Sequence, residues 1–176
     1  MRLAELMTRR RDQLLGRLVE LYWEGDPGDA AFARKPADPF HNPVGATVTG
    51  ALRDLYDGLA AGREAAELEG PIDRLVRLRA VQGFAPSAAV SFPLLVRRAV
   101  RETLAGEELE RAAGALAAFE ETERELLLAA VDRYVACREQ LLAGRLKSEA
   151  ARVGAVLRRA GLADSEENES WAGGAP

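Results

Sequence analysis

Histidine and cysteine are nearly missing from this sequence: each occurs once, as His41 and Cys137. One histidine excludes multi-histidine zinc sites, and one cysteine excludes thiolate cages and an internal disulfide. No serine sits in a nucleophile-elbow pattern, and neither "GPIDRL" nor "GATVTG" has the lysine a phosphate loop requires. The carboxylates Glu120, Glu121, Glu123 and Glu125 lie among arginines, where they read as solvated faces or i,i+4 pairs. A di-iron cluster would want Glu-x-x-His motifs instead. A haem globin needs its histidine in the body of a helix facing the pocket, whereas His41 precedes a helix start. The expectation is a protein with no catalytic residue, no metal ligand and no cofactor.

Other absences narrow the class. No stretch is apolar enough to span a bilayer, and "MRLAELMTRRRDQLL" interleaves charges where a signal peptide would be apolar. The expected location is therefore the cytoplasm, with no membrane partner. The formal net charge is −4, and Asp164, Glu166, Glu167 and Glu169 follow the last basic residue, Arg159. Setting those four aside leaves a neutral body, with no electrostatic footprint for nucleic acid. The triplet Arg9-Arg10-Arg11 then reads as a solvated helix face. Aromatic residues make up only 6% while hydrophobic residues reach 48%, so the apolar content is chiefly aliphatic. Ala, Leu, Arg and Glu dominate, all of them residues that lose little entropy in a helix.

What is present is helical periodicity, with no strand-like alternation and no internal repeat. The spacing predicts a helix over Leu3 to Glu24, ended by "GDPGD", followed by an irregular connection to Asn42. A second helix starts with Asn42 as N-cap and Pro43 at the first position. It carries Val44, Val48, Leu52, Leu55 and Leu59 on one face and stops near Gly62. A third repeats the device with Pro71 at its first position, burying Ile72, Leu75, Leu78 and Val81, and closes at Gly83. Pro86 opens a fourth, "PSAAVSFPLLVRRAVRETL", expected as a central, fully buried helix that Pro93 kinks or divides, ending at Gly106.

From Glu107 to Ala160 two helices are expected, the first short and alanine-rich. The second carries Leu127, Leu128, Val131, Tyr134, Val135, Leu141, Leu142 and Leu146, extending through Val153 and Leu157. A stripe of that length serves to cover the domain or to form a dimer. The predicted fold class is all-α: one domain of five to seven helices over residues 1–160, then an acidic disordered tail over 161–176. Cys137 reads as a packed, inert thiol.

The stretch "DPFHNPVG" holds the candidate site. A helix N-terminus offers free N–H groups and a positive dipole end to an anion. His41, Asn42, Pro43, Gly45 and Thr49 would line such a ligand or interaction site. The plainer reading is that Asn42 caps, Pro43 starts the helix, and the small face packs against a neighbour.

Three stretches, "DPFHNPVGATVTGALRDLYDGL", "RLVRLRAVQGFAPSAAVSFPLLVRRAVRE" and "DRYVACREQLLAGRLKSE", together resemble one family. It is the N-terminal domain of RsbR-type regulators, the RsbT co-antagonist proteins of the bacterial stressosome. The resemblance spans about Leu3 to Glu149 and implies a sensory or regulatory module with a non-haem globin-like fold, generally dimeric. It implies signal transduction through an unidentified protein partner, and it brings no catalytic or ligand residue with it. Multidomain members continue into a STAS domain that carries the phosphorylated residues. Here an acidic stretch follows instead. Ala85 stands before Pro86 where the family pattern leads one to expect a hydroxyl cap.

Overall fold

In the computed structural model, residues 3–24 and 41–160 are described. They form eight α-helices and one 3-10 turn, with no strand among the described residues. The all-α class and the long C-terminal helix are as the sequence predicts. The expected acidic tail and most of the connection before Asn42 lie outside the described residues. Two compact units divide the chain, Met1–Cys137 and Arg138–Pro176.

The first expected helix is two: α1 over Leu3–Arg9 and α2 over Arg11–Glu24. The division at Arg10 comes without proline or glycine. Hydrogen bonds from Arg10 N–H to the Leu6 carbonyl and from Leu14 N–H to the Arg10 carbonyl, both 2.9 Å, carry the helical ladder across it. The Arg10 guanidinium forks onto Glu108 at 3.1 and 2.8 Å. Leu6, Met7, Leu14, Leu18 and Leu21 are all buried.

Helix α3 spans Pro43–Ala60. Val48, Leu52, Leu55 and Leu59 are buried on the expected face. Gly62 adopts a φ of +74°, the left-handed turn that glycine reaches without a Cβ penalty, and it ends the segment as predicted. The next element corrects the sequence reading. A 3-10 turn over Ala65–Leu68 runs directly into α4, Glu69–Val81, so Pro71 is the third helical residue rather than the first. Proline is tolerated there because the first four N–H groups of a helix have no partner within it. Glu64 and Glu67 supply a reciprocal capping box to the 3-10 turn. The inward face of α4 is Ile72, Leu75, Val76, Arg79 and Ala80. Leu78 is only half-buried and Val81 is exposed.

Proline 93 divides the fourth expected helix, as predicted, into α5 (Pro86–Val90) and α6 (Phe92–Thr103). The pair is not fully buried, however. Pro86, Ser87 and Ala88 are exposed and Leu94 is 47% exposed, while Phe92, Val96, Ala99 and Val100 face the core. A short apolar run does not distinguish an all-round buried helix from an amphipathic one. Ala85 makes no side-chain cap. Gly106, at a φ of +54°, opens α7 (Gly106–Ala118) rather than closing α6.

Helix α8 runs over Glu120–Arg159. Its buried residues are Glu123, Leu126, Ala130, Tyr134 and Cys137, spaced 3, 4, 4 and 3 apart. Of the predicted stripe only Tyr134 is buried; Leu128, Val131 and Val135 are exposed. Sequence reasoning favoured the larger aliphatic residues, whereas the body packs against the face bearing Ala130 and Cys137, whose small side chains permit closer approach. Tyr134 donates its hydroxyl to the Phe84 carbonyl at 2.8 Å. Arg97 reaches Glu120 at 2.9 Å and Glu123 at 2.6 Å, and so ties α6 to the start of α8.

Candidate functional site

The opening of α3 has the predicted chemistry. Asn42 is buried with φ −142° and ψ 69°, and its Oδ1 accepts the Gly45 N–H at 2.8 Å. Its carbonyl accepts the Ala46 N–H at 3.0 Å. A Cβ on Gly45 would lie 2.3 Å from Asn42 Nδ2 and 2.9 Å from Oδ1. The close approach that Gly45 permits is therefore to the capping side chain itself. His41 and Pro43 are exposed, Gly45 is buried, and Thr49 is half-buried. Asn42 and Gly45 are thus engaged with each other, with His41 and Thr49 beside them.

These contacts rank two substitutions. Asn42→Ala removes one cap and is expected to cost about 1 kcal/mol of stability. Gly45→Ala must displace Asn42 as well as crowd it, and is expected to cost more, roughly 2 kcal/mol. Urea titrations of both variants check that order.

Arg79, which sequence reasoning did not single out, is a buried charge of the body packed among aromatic rings. It is 3% exposed on α4. Its Nε donates to the Tyr22 hydroxyl at 3.0 Å and a terminal nitrogen reaches the Tyr22 carbonyl at 3.4 Å. The guanidinium carbon stands 4.2 Å from the Phe84 ring centroid, 4.4 Å from Tyr22 and 5.6 Å from Trp23. A cavity of about 290 Å³ adjoins it, walled also by Phe84, Phe92, Leu95 and Arg98. The signal was legible: Arg79 lies seven residues after Ile72 and four after Leu75, on the inward face. Its charge masked it.

Two further groups show the local electrostatics. Burial pushes the Tyr56 phenol well above its ordinary value, and its hydroxyl donates to the Met7 carbonyl at 2.7 Å. Hydrogen bonds from Arg98 and then Arg17 hold the Glu102 carboxyl below the usual range. The linked stability is present above the ordinary carboxylate value and is lost as pH falls through the depressed one.

The second unit presents a different surface. Every residue from Leu142 to Ala160 except Gly154 is exposed. Leu142 is 50%, Leu146 66%, Val153 58% and Val156 65% exposed. In the Met1–Cys137 body, arginines such as Arg10, Arg17, Arg97 and Arg133 are matched with carboxylates. Arg138, Arg145, Arg152 and Arg159 recur every seven residues, and among the described residues none of them forms an ion pair.

Among the described residues no group of three or more His, Cys, Asp or Glu could hold a metal ion. No described helix is long and apolar enough to cross a membrane. Comparison with known proteins finds the family model described as the RsbT co-antagonist protein rsbRD N-terminal domain, matched over residues 12–148. The chain belongs to this family. The match takes in α2 to α7 and most of α8, so the all-α fold and the regulatory signalling class apply to nearly all of the described residues of this RsbRD N-terminal domain. No curated protein and no solved structure matches the chain at a significant level.

Proposed function

We propose that this RsbRD N-terminal domain is a cytoplasmic regulatory module that catalyses no reaction and acts by binding proteins, the first of them a second copy of itself. The observation that carries the reading is the uncovered apolar face of Leu142, Leu146, Val153 and Val156. Contiguous exposed apolar surface of this kind marks interaction sites in soluble proteins. Family membership supports the same class, since the family works in stressosome-type signalling through protein contacts. A module of this kind transmits a signal through helix packing and needs no reactive group.

Light scattering of the full chain at micromolar concentration, combined with affinity capture of bound proteins, tests the reading. A dimer that also retains a specific partner is expected. A strict monomer that recovers no partner contradicts it.

A further inference from the structure

The cavity beside Arg79 lies wholly within the first unit. Helix α2 contributes Leu21, Tyr22 and Glu24 to it, and the turn after α4 contributes Phe84. Leu95 and Arg98 follow Ser91 at intervals of four and three, so one side of α6 faces the space.

Two properties of the lining define a ligand. The first is shape: the rings of Tyr22, Phe84 and Phe92 make apolar walls, and about 290 Å³ lies at the small end of ligand pockets. That volume suits one ring with a short arm. The second is charge. Among the described residues the lining holds two guanidiniums, Arg79 and Arg98, against one carboxylate, Glu24. Glu24 is itself shared, since Arg17 reaches it at 2.9 Å. Arg79 is engaged by Tyr22, so its part is the positive charge it fixes in a desolvated wall, where a charge acts more strongly than in water.

Arg98 supplies the contact. Its Nε donates to Glu102 at 2.6 Å, which steadies the guanidinium. Its Nη2 reaches Glu24 at 3.2 Å, the longest of the ion-pair distances that join Arg17 and Arg98 to Glu20, Glu24 and Glu102. A ligand carboxylate can take that Nη2 and leave Glu24 with Arg17. The Ser91 hydroxyl makes only a long bond, 3.3 Å, to the Ala88 carbonyl, and adds a second donor. From this geometry we infer that the cavity binds a small aromatic carboxylate, its ring between Phe84 and Phe92 and its carboxylate on Arg98 and Ser91. Binding exchanges an ion pair between α2 and α6 for a contact with the ligand, so the packing of those two helices senses occupancy. The site stands whether or not the chain self-associates.

The test titrates the full chain with phenylacetate, phenylacetamide and acetate, followed by calorimetry and ligand-observed NMR. Phenylacetate is expected to bind with a Kd on the order of 0.1–1 mM, within reach of a ligand of roughly ten non-hydrogen atoms. The amide lacks the charge and acetate lacks the ring, and each is expected to bind at least about 10-fold more weakly. Arg98→Gln is expected to weaken phenylacetate by about 10-fold, and Arg98→Lys to recover part of that loss. Ala88→Phe fills the space and is expected to abolish binding. Positions 88 and 98 are both exposed, so the fold tolerates these changes, and circular dichroism checks that it does. No binding of phenylacetate at millimolar concentration overturns the inference. Equal binding of the amide overturns the role given to charge. Full affinity in Arg98→Gln or in Ala88→Phe overturns this placement of the site.

Discussion

Arg79→Ala is expected to lower the stability of the body by about 3 kcal/mol, among the larger effects of any single change. The guanidinium is fully desolvated and donates to both the hydroxyl and the carbonyl of Tyr22. Its face also meets the Phe84 and Tyr22 rings, and a desolvated cation–ring contact contributes about 2 kcal/mol. Truncation leaves a void and removes both hydrogen bonds to Tyr22, and loss of a hydrogen bond to a charged group costs roughly 1.5–3 kcal/mol. Lysine keeps the charge but replaces a planar fork with a point charge, so Arg79→Lys is expected to recover less than half of the loss. Trp23 stands at the edge of this cluster, with its ring at 89° to Tyr22, and reports on it. Urea unfolding followed by tryptophan fluorescence is the measurement. A loss below about 1 kcal/mol in Arg79→Ala would mean that the cluster holds little of the fold together.

That cluster also shows what the sequence revealed and where it misled. Element type was legible almost everywhere, because aliphatic residues at intervals of three and four leave few alternatives to helix. The start of α3 was legible in detail, since Asn42, Pro43 and Gly45 act through local backbone chemistry. Faces were read less well. On α4, helical spacing pointed at position 79, but a charged residue was passed over in favour of Leu78. On α8, two apolar faces compete in one helix, and side-chain size favoured the wrong one for the body. Ala130 and Cys137 lie inward because of what packs against them, information that a single helix sequence does not hold. The break at Arg10 and the 3-10 turn before α4 carry no proline or glycine signal at their own positions.

The same error of face yields the second large effect. Because the body covers Leu126, Ala130 and Tyr134, the aliphatic residues further along α8 remain for another use. Replacing Leu142 and Leu146 together by Asp puts two carboxylates on that face, close to their counterparts in a second copy. Burying like charges there removes the apolar contact and adds repulsion, and self-association is expected to weaken by at least 100-fold, equivalent to about 2.7 kcal/mol or more. Both residues are exposed in the single chain, so the unfolding of a monomer is expected to shift by no more than about 1 kcal/mol for the two changes together. A double variant that unfolds early would show the face to be structural within one chain. A double variant that associates as tightly as the unaltered protein would place the contact elsewhere.

Sedimentation equilibrium of the full, unaltered chain over a dilution series through the micromolar range tests the central claim most directly. A 19.0 kDa chain that pairs through α8 is expected to sediment at twice that mass at the upper concentrations and to dissociate on dilution. A mass of 19.0 kDa throughout the series would contradict the account.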